Sequence, residues 1–450
     1  MSQATQNVTL QRRLSLTSMI AFGLMYMSPS VVVSTFGVIS SASKGSAAAA
    51  YALGTAAMTL TALSYAKMAK RHPTSGSVYS YARRELGAHV GFMSGWSLLL
   101  DYFFLPMVVW LITSLYMNVM LPLVPVWGWL IINAAVTTIV NGIGVVLADR
   151  VNKTGLIVSL LALAALIVVI VSAIPGVPPQ NAVHAFWSPE TSIGAITAGA
   201  AISAYSFLGF DAISTMTEEV KDPQRNIPRA IVLSVIIGGG IFTVMALLMQ
   251  WVHPGGSFTS EDTAGYEIAA QTGGAVFANV FNTVTIIAGY ATCLSIQAST
   301  SRLMYVMGRD GVLPKRIFGR LNRRFRTPLI NLIIVGCTAL LAANLSLATA
   351  TSFINFGAFL AFTVVNICVI AAWIRHRRTG DPLPVFGWLI VPLAGAVIDV
   401  YLLTQLGTVA LVIGVCWFAL GLIMLTILTR GFRRQPPEMD PEKQADLVDA

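Results

Sequence analysis

Long apolar runs recur along the whole chain and constrain its fold more than any single motif. Runs of about 20 mostly apolar residues, the length that crosses roughly 30 Å of hydrocarbon, can be read twelve times. With 56% hydrophobic and 10% charged residues in 450, the composition excludes a soluble globular protein of this size. The predicted membrane spans are residues 15 to 40, 47 to 68, 90 to 120, 127 to 147, 155 to 175, 193 to 215, 230 to 252, 275 to 300, 328 to 344, 351 to 374, 384 to 405 and 408 to 429.

Basic residues lie in every second loop between these spans, and this asymmetry predicts the topology. Of the 28 Lys and Arg residues, only Lys44 falls in a loop of the opposite set. The long opposite segment 253 to 275 carries Glu261, Asp262 and Glu267 and has no Lys or Arg. The positive-inside rule therefore predicts that both termini are cytoplasmic. The net charge of +9 then indicates orientation in a lipid bilayer and gives no reason to expect a nucleic-acid partner.

Two of the spans, the first and the sixth, are interrupted near their middles. Proline removes a backbone donor and glycine loosens a helix, so the freed backbone groups at bilayer depth need partners other than lipid. Interruptions at matching positions of two halves predict a midplane binding site between inverted repeats. The alternative is a pair of kinks that bind no ligand. The predicted substrate-binding residues at the breaks are Tyr26, Met27, Ser28, Pro29 and Ser30 in the first span, and Ser206, Phe207, Leu208, Gly209, Phe210 and Asp211 in the sixth.

The polarity of the broken helices adds an electrostatic expectation. A half-helix that begins after Pro29 presents its N-terminus to the membrane centre, and a half-helix that begins near Asp211 does the same from the other side. Unpaired amides at helix N-termini favour an anion. We therefore expect two positive helix ends to converge on one place.

Three acidic residues lie inside predicted spans, where each costs roughly 2.5 to 3.5 kcal/mol and tends to face a cavity. Asp211, at the second break, is the predicted proton-coupling residue, and the alternative is a helix N-cap. Asp101, followed by Tyr102, either holds a substrate ammonium or pairs with a neighbouring helix. Asp399, in the eleventh span, is expected to make a packing or oligomer hydrogen bond.

Further candidates lie at the edges of the second break. Glu218 and Glu219 follow Asp211 by 7 and 8 residues. One of them is predicted to gate the site by pairing with a base such as Arg302. The alternative is an ordinary interfacial ion pair. Aromatic faces attract an ammonium by cation–π contact, so Tyr26 and Phe207 are also candidate pocket residues.

Three ordered stretches resemble the amino acid-polyamine-organocation superfamily. They are residues 206–211 with 218–228, residues 301–314 and residues 73–81. The resemblance implies an all-α membrane protein of twelve helices, with a five-plus-five inverted repeat of the LeuT-like type, broken helices 1 and 6, and two peripheral helices. The implied segments are a cytoplasmic N-terminal segment 1–14, a first repeat 15–175, a second repeat 193–374, a peripheral pair 384–429 and a disordered cytoplasmic tail 430–450.

Within the superfamily, residues 91–107 and 353–358 are similar to bacterial putrescine importers. This likeness implies import of a small amine or amino acid across the bacterial inner membrane by proton symport, with a putrescine-like polyamine favoured. Ser34 is a departure, because the importers are expected to carry an acid there. An amino acid permease or exchanger therefore stays an alternative, and the hydroxyls of Ser295 and Ser299 keep sodium coupling open.

Other classes of protein have less support in the sequence. There is no Gly-rich phosphate loop, no His/Cys metal cluster and no nucleophile with a plausible base in its own span, so we expect neither an enzyme nor a cofactor or metal. A channel requires a polar pore or several symmetry-related chains, and the apolar, singly broken helices favour occlusion instead.

Overall fold

The computed structural model describes residues 14–74, 76–143, 148–178, 181–217, 219–322, 325, 327–380 and 383–437, apart from the side chains of 148–153, 181 and 182. This part of the chain is helical. The α-helices, numbered in chain order, are α1 Leu16–Met27, α2 Val31–Ala42, α3 Ala47–Arg71, α4 Ser77–Glu85, α5 Ala88–Met120, α6 Val126–Ile143, α7 Ala148–Ala173, α8 Asn181–His184, α9 Ile193–Ser203, α10 Pro223–Val252, α11 Ala264–Arg309, α12 Lys315–Phe318, α13 Leu329–Cys337, α14 Ala339–Ala342, α15 Leu347–Arg378, α16 Val391–Thr404 and α17 Thr408–Leu428. Short 3-10 helices cover Ile174–Gly176, Ala204–Phe207, Asp211–Met216 and Glu261–Thr263, and a π-helix covers Phe386–Ile390.

The helices reproduce the predicted series of membrane spans. Ten helices in the described ranges are long and apolar enough to cross a bilayer, and α1 with α2 forms one further span that is bent by 50°. The shorter apolar segment Leu329–Ala342 coincides with the predicted ninth span. The expectation of an all-α membrane protein with twelve helices is confirmed, whereas the exact segment boundaries stay a prediction.

Two spans differ from their predicted form. The predicted span 275 to 300 lies inside α11, which begins at Ala264 and bends at Gly274, where φ is 78°. The ninth span is divided into α13 and α14 at Thr338, whose amide and hydroxyl both donate to the Val335 carbonyl, at 3.0 and 2.7 Å. A hydroxyl that bonds to the backbone in this way competes with the regular helical ladder.

The helices pack in two groups, and the two breaks lie between them. In the first group α10 contacts α1 and α3, and α3 contacts α9, through small residues. A Cβ at Gly239 would lie 2.3 Å from Thr55 Cγ2, and one at Gly54 would lie 2.5 Å from Ser203 Oγ, so the backbones approach as closely as small residues allow. The second group contains α5, α6, α11 and α13.

The last two helices, α16 and α17, pack at the periphery of these groups and are held there by hydrogen bonds. Trp96 Nε1 donates to the Trp417 carbonyl at 2.9 Å, and Trp417 Nε1 donates to the Trp96 carbonyl at 3.1 Å. The buried Asp399 Oδ2 accepts hydrogen bonds from Thr61 at 2.8 Å and from Asn366 at 3.0 Å. Asp399 thus makes a packing hydrogen bond within one chain.

A buried ion cluster joins the ends of α3, α4 and α15. The Glu85 side chain is fully buried and accepts from Arg71 Nε at 2.8 Å and His72 Nε2 at 2.6 Å, while Arg375 Nη1 lies 3.0 Å from its second oxygen. Burial alone would raise the pKa of Glu85. The hydrogen bonds from His72 and Arg71 and the charges of Arg71 and Arg375 outweigh that effect and hold this pKa below its usual value.

We expect Glu85→Gln to destabilise the protein by about 2 kcal/mol, because the neutral amide loses the charge-assisted hydrogen bonds to the buried carboxylate, while the partly exposed Arg71 and Arg375 stay hydrated. The stabilisation from a lowered carboxyl pKa is present above the unfolded pKa of about 4.3 and is lost as the pH falls through the folded pKa. The wild type should therefore lose stability on acidification below that range, and the variant should lose less. Thermal unfolding in detergent measures both effects, with the exposed Glu190→Gln as control. A variant as stable as the wild type would contradict this role.

Candidate functional site

The first break separates α1 from α2 at Ser28 and Pro29. Ser28 adopts a left-handed conformation with φ of 50°, and its amide donates to the Met25 carbonyl at 3.2 Å. The buried Pro29 has no amide hydrogen to donate. The chain then turns into α2 through a bond of 2.8 Å from the Val31 amide to the Ser28 carbonyl. The predicted interruption of the first span is therefore present where proline and serine indicated it.

The second break follows α9 and is longer. The helix tightens into the 3-10 segment Ala204–Phe207, Leu208 is extended with ψ of 132°, and Gly209 has φ of 107°. Glycine reaches this φ without strain. The ensuing segment Asp211–Met216 is again a 3-10 helix.

A half-helix does start at Asp211, as expected, but it is a six-residue 3-10 helix and not a regular α-helix. The hydroxyls of Ser214, Thr215 and Thr217 each donate to the carbonyl three residues earlier, at 2.6 to 2.7 Å. Such local bonds occupy carbonyls that a regular α-helix needs. A six-residue 3-10 turn carries only a small dipole, so the positive end expected on this side is much weaker than that of α2.

The two breaks are in direct contact through one ring. A Cβ at Gly209 would lie 2.0 Å from Tyr26 Cδ1 and 2.7 Å from Tyr26 Cγ. The ring of Tyr26 thus occupies the space that any side chain at position 209 would need. This contact fixes the relative position of the broken spans.

A cavity of about 70 Å³ opens on the α2 side of the breaks, and we call it the α2-side cavity. Of the predicted site residues, Tyr26, Met27, Ser28, Ser30, Ser34 and Leu208 line it. The remaining wall comes mainly from α5 and α11: Leu105, Val109, Ile112, Thr113, Tyr116, Thr285, Ile286, Gly289, Thr292 and Ile296, with Val31 and Tyr205.

A second cavity, of about 210 Å³, lies on the α1 side of the breaks and is called the α1-side cavity. Tyr26, Ser28 and Pro29 are among its lining residues, and hydroxyl residues of α7 and α11 face them: Ser159, Thr292, Ser295 and Ser299. The Ser295 hydroxyl donates to the Ala291 carbonyl at 3.2 Å. Tyr26 lines both cavities and so lies on the boundary between them.

Asp101 and Asp211 do not line either cavity but are buried beside Tyr26. Their exposed fractions are 4% and 2%, and both carboxyls are near enough to interact electrostatically with Tyr26 and with each other. Among the described residues, Asp101 Oδ1, Asp211 Oδ2 and Tyr26 Oη have no hydrogen-bond partner. Buried polar atoms are rarely left unpaired, but Asp399 Oδ1 is unpartnered in the same ranges as well, so it is the position beside the cavity-lining Tyr26 that makes Asp101 and Asp211 candidates for binding a donor.

Asp211 also fits its alternative interpretation in part. Its carboxyl lies beside the backbone amides of Gly209, Ala212 and Asp211 itself. One oxygen can therefore serve the start of the 3-10 turn while Oδ2 stays unpaired. The N-cap role and a role in binding or coupling are compatible.

Three predicted pocket residues have other surroundings. Phe207 is fully buried and packs edge-on against Phe242 at 5.3 Å, and Phe210 packs against Tyr65 at 5.4 Å. Ser206 lies 3.2 Å from the Tyr51 hydroxyl. These side chains point into the helix packing because a 3-10 turn places successive residues on three faces, of which only one faces a cavity.

The gating candidates are only partly described. Glu218 lies outside the described residues. The carbonyl of Glu219 accepts a hydrogen bond of 3.0 Å from the Leu14 amide, and the Lys221 amide returns one of 3.0 Å to Leu14. Arg302 is exposed. The stretch after the second break is thus tied to the start of the first span, and a gating role of the acids stays a prediction.

Tyr116, Thr113 and Tyr205 line the α2-side cavity and were not predicted. The first two were detectable from helical periodicity. Counting from Asp101, the wall residues of α5 follow at intervals of three and four, which is one face of a helix. Tyr102, the predicted partner of Asp101, is one residue off this face, and its carbonyl accepts from Thr300 at 2.7 Å.

The chain is similar to known membrane transporters over almost its whole length. The amino acid permease family model matches residues 17–437. The low-affinity putrescine importer PlaP of Escherichia coli (strain K12) is 38% identical over 444 residues, which are 97% of this chain and 98% of that protein. The methylthioribose transporter of Bacillus subtilis (strain 168) is 28% identical over 396 residues, which are 83% of this chain and 84% of that protein.

A third relative has an amino acid in its name. The branched-chain amino acid permease BcaP of Bacillus subtilis (strain 168) is 25% identical over 392 residues, which are 82% of both chains. The family consists of transporters and not of enzymes, so the superfamily resemblance of the sequence is confirmed, and the protein is a multi-pass membrane transporter. The chain belongs to the amino acid permease family.

Proposed function

We propose that the protein imports a small amine, with a putrescine-like polyamine favoured, by alternating access around the two breaks. One observation carries the proposal. Asp101 and Asp211 are buried, near enough to each other and to the cavity-lining Tyr26 to interact electrostatically, and each has an oxygen with no partner among the described residues. No Lys, Arg or His lines either cavity in the described ranges. An ammonium group supplies the donors and the charge that such a site lacks.

The relatives support the same substrate class. The relative that covers 97% of this chain is named for putrescine import. The distribution of basic residues between loops predicts that both termini lie in the cytoplasm, and import through the bacterial inner membrane is proposed from the likeness to the putrescine importer. Rocking of the first helix group against the second would expose the site to each side in turn.

Proton coupling through Asp211 is the mechanism we favour. A carboxyl at the break, next to Gly209 and Tyr26, is placed to exchange a proton when the broken helices move. Sodium is the alternative, since Ser295 and Ser299 provide hydroxyl oxygens in the α1-side cavity. The Ser295 hydroxyl already donates to a helix carbonyl, as serines in membrane helices commonly do.

Uptake of labelled putrescine into liposomes that contain the purified protein tests this function. We expect saturable accumulation driven by an inward proton gradient and no stimulation by an inward sodium gradient. Stimulation by sodium alone would overturn proton coupling. Saturable uptake of branched-chain amino acids with no competition by putrescine would overturn the amine assignment in favour of an amino acid permease or exchanger.

One observation favours the alternative that the substrate is an amino acid. The wall of the α2-side cavity is largely apolar, with Leu105, Val109 and Ile112 on α5, which suits an apolar side chain. Ser34 lines the same cavity and lacks the charge that would hold the second ammonium of a diamine.

Ser34→Asp is therefore expected to favour diamines. The variant adds an acid to the wall of the α2-side cavity, which has no acidic lining residue of its own in the described part of the chain, so apparent affinity for putrescine should rise roughly tenfold relative to butylamine, the gain typical of one charge-assisted hydrogen bond. Competition uptake with both amines measures the ratio. Ser34→Asn is the control for size, and the same change in that variant would exclude a charge effect.

A further inference from the structure

The first break is poor in hydrogen-bond donors for an anion. Pro29 lies two residues before α2 begins at Val31 and has no amide hydrogen. In the turn that follows, the amides of Val31 and Val33 donate to the carbonyls of Ser28 and Ser30, at 2.8 and 3.1 Å. The amide donors of Pro29, Val31 and Val33 are thus absent or occupied, three of the five from position 29 to position 33. Half-helix N-termini in such transporters bind anionic substrate groups through amides of this kind, and here most of them are absent or occupied.

The same region is rich in acceptors. The helix α1 ends at Met27, so the carbonyls of its last turn and the negative end of its dipole point into the break. Asp101 and Asp211 add two buried carboxyls, each with an unpartnered oxygen. The positive end expected on the other side is only a short 3-10 turn. A substrate carboxylate would therefore meet carbonyl and carboxyl oxygens, with few backbone donors to bind it.

We infer that the site accepts ammonium groups and rejects carboxylates, and that Pro29 is the residue that sets this exclusion. The substrate class is then an amine without a carboxylate, as opposed to the amino acid from which such an amine is formed by decarboxylation. This inference rests on the proposed amine transport and adds a specificity-determining residue to it.

Three compounds that share one skeleton test the exclusion in the wild type. Cadaverine has no α-substituent, lysine has an α-carboxylate, and lysinamide has a neutral α-amide in its place. In competition with labelled putrescine, we expect lysinamide to compete at least roughly tenfold better than lysine, the ratio set by one charged hydrogen bond, and cadaverine to compete best. Equal competition by lysine and lysinamide, in a protein that does import putrescine, would overturn the exclusion alone.

Pro29→Ala restores one backbone donor at the break. We expect the ratio of apparent affinities of lysinamide and lysine to fall roughly tenfold in this variant. This ratio does not depend on whether the variant changes the rate of putrescine uptake. Pro228→Ala restores a donor inside α10, away from both cavities, and should leave the preference as in the wild type. An unchanged ratio in Pro29→Ala would overturn the role of Pro29. Failure of the wild type to import putrescine, with lysine accumulated instead, would overturn both the proposed function and this inference.

Discussion

Asp211→Asn is expected to abolish proton-driven accumulation of putrescine while leaving some exchange of labelled for unlabelled putrescine. The asparagine keeps the size and most hydrogen bonds of the aspartate, including acceptance from the amides beside it, but it cannot take up and release a proton. A carrier that has lost its coupling ion can still alternate with substrate bound. Accumulation should therefore fall to the level reached without a gradient.

Two further acids provide matched controls in the same assay. Asp101→Asn removes the neighbouring buried carboxyl and is expected to weaken putrescine binding in both accumulation and exchange. Asp399→Asn changes an equally buried acid that only packs α16 against Thr61 and Asn366, so the ratio of accumulation to exchange should stay as in the wild type. Undiminished accumulation by Asp211→Asn would refute the coupling role.

The membrane architecture was predictable because it depends on composition over long windows. Each span needs about 20 apolar residues, and no single residue decides it, so local errors cancel. The break in the first span was predictable for a different reason, since Pro29 removes a backbone donor wherever the chain places it. The bend in α11 at Gly274 was not predicted, because an isolated glycine in an apolar run is compatible with a straight helix.

The site was predictable only in part, because its geometry depends on contacts between distant segments. Sequence spacing placed Asp101 and Asp211 in different spans and gave no means to find that they lie together beside Tyr26. The sequence contains the serine and threonine hydroxyls that accompany the 3-10 segment after Asp211. It does not show that these hydroxyls donate to the backbone carbonyls three residues earlier. The ring contacts of Phe207 and Phe210 likewise join distant segments and could not be found from sequence spacing.

The family match and the site geometry answer different questions. A match over residues 17–437 places the chain among permeases, whose named substrates range from putrescine to branched-chain amino acids. Fold and family alone do not choose between these substrates. We propose that the unpartnered carboxyl oxygens and the missing amide at Pro29 distinguish them, because ammonium and carboxylate groups need opposite partners.

Among the described glycines, Gly209 has the shortest approach of an added Cβ to a neighbouring atom and also a positive φ, so we expect Gly209→Ala to have a large effect. The new Cβ would lie 2.0 Å from Tyr26 Cδ1, and the residue would have to keep a φ of 107°. Overpacking costs about 1–3 kcal/mol and the backbone conformation about 1–2 kcal/mol more, so we expect a loss of at least about 2 kcal/mol in stability. Transport should be lost as well, because Tyr26 would be displaced from the boundary between the two cavities.

A double variant separates the clash from the backbone strain. Gly209→Ala combined with Tyr26→Ala removes the ring that the new methyl group meets, so the pair should be less destabilised than the sum of the single variants. The destabilisation of the double variant relative to Tyr26→Ala alone measures the free-energy cost of holding alanine at the positive φ of position 209. Gly240→Ala is the matched control, since it lies in α10 with nothing within 4 Å of its Cβ, and alanine is the better helix former there. Thermal unfolding and putrescine uptake of all four variants give the result, and strict additivity would show that Tyr26 and Gly209 do not hold the two broken spans together.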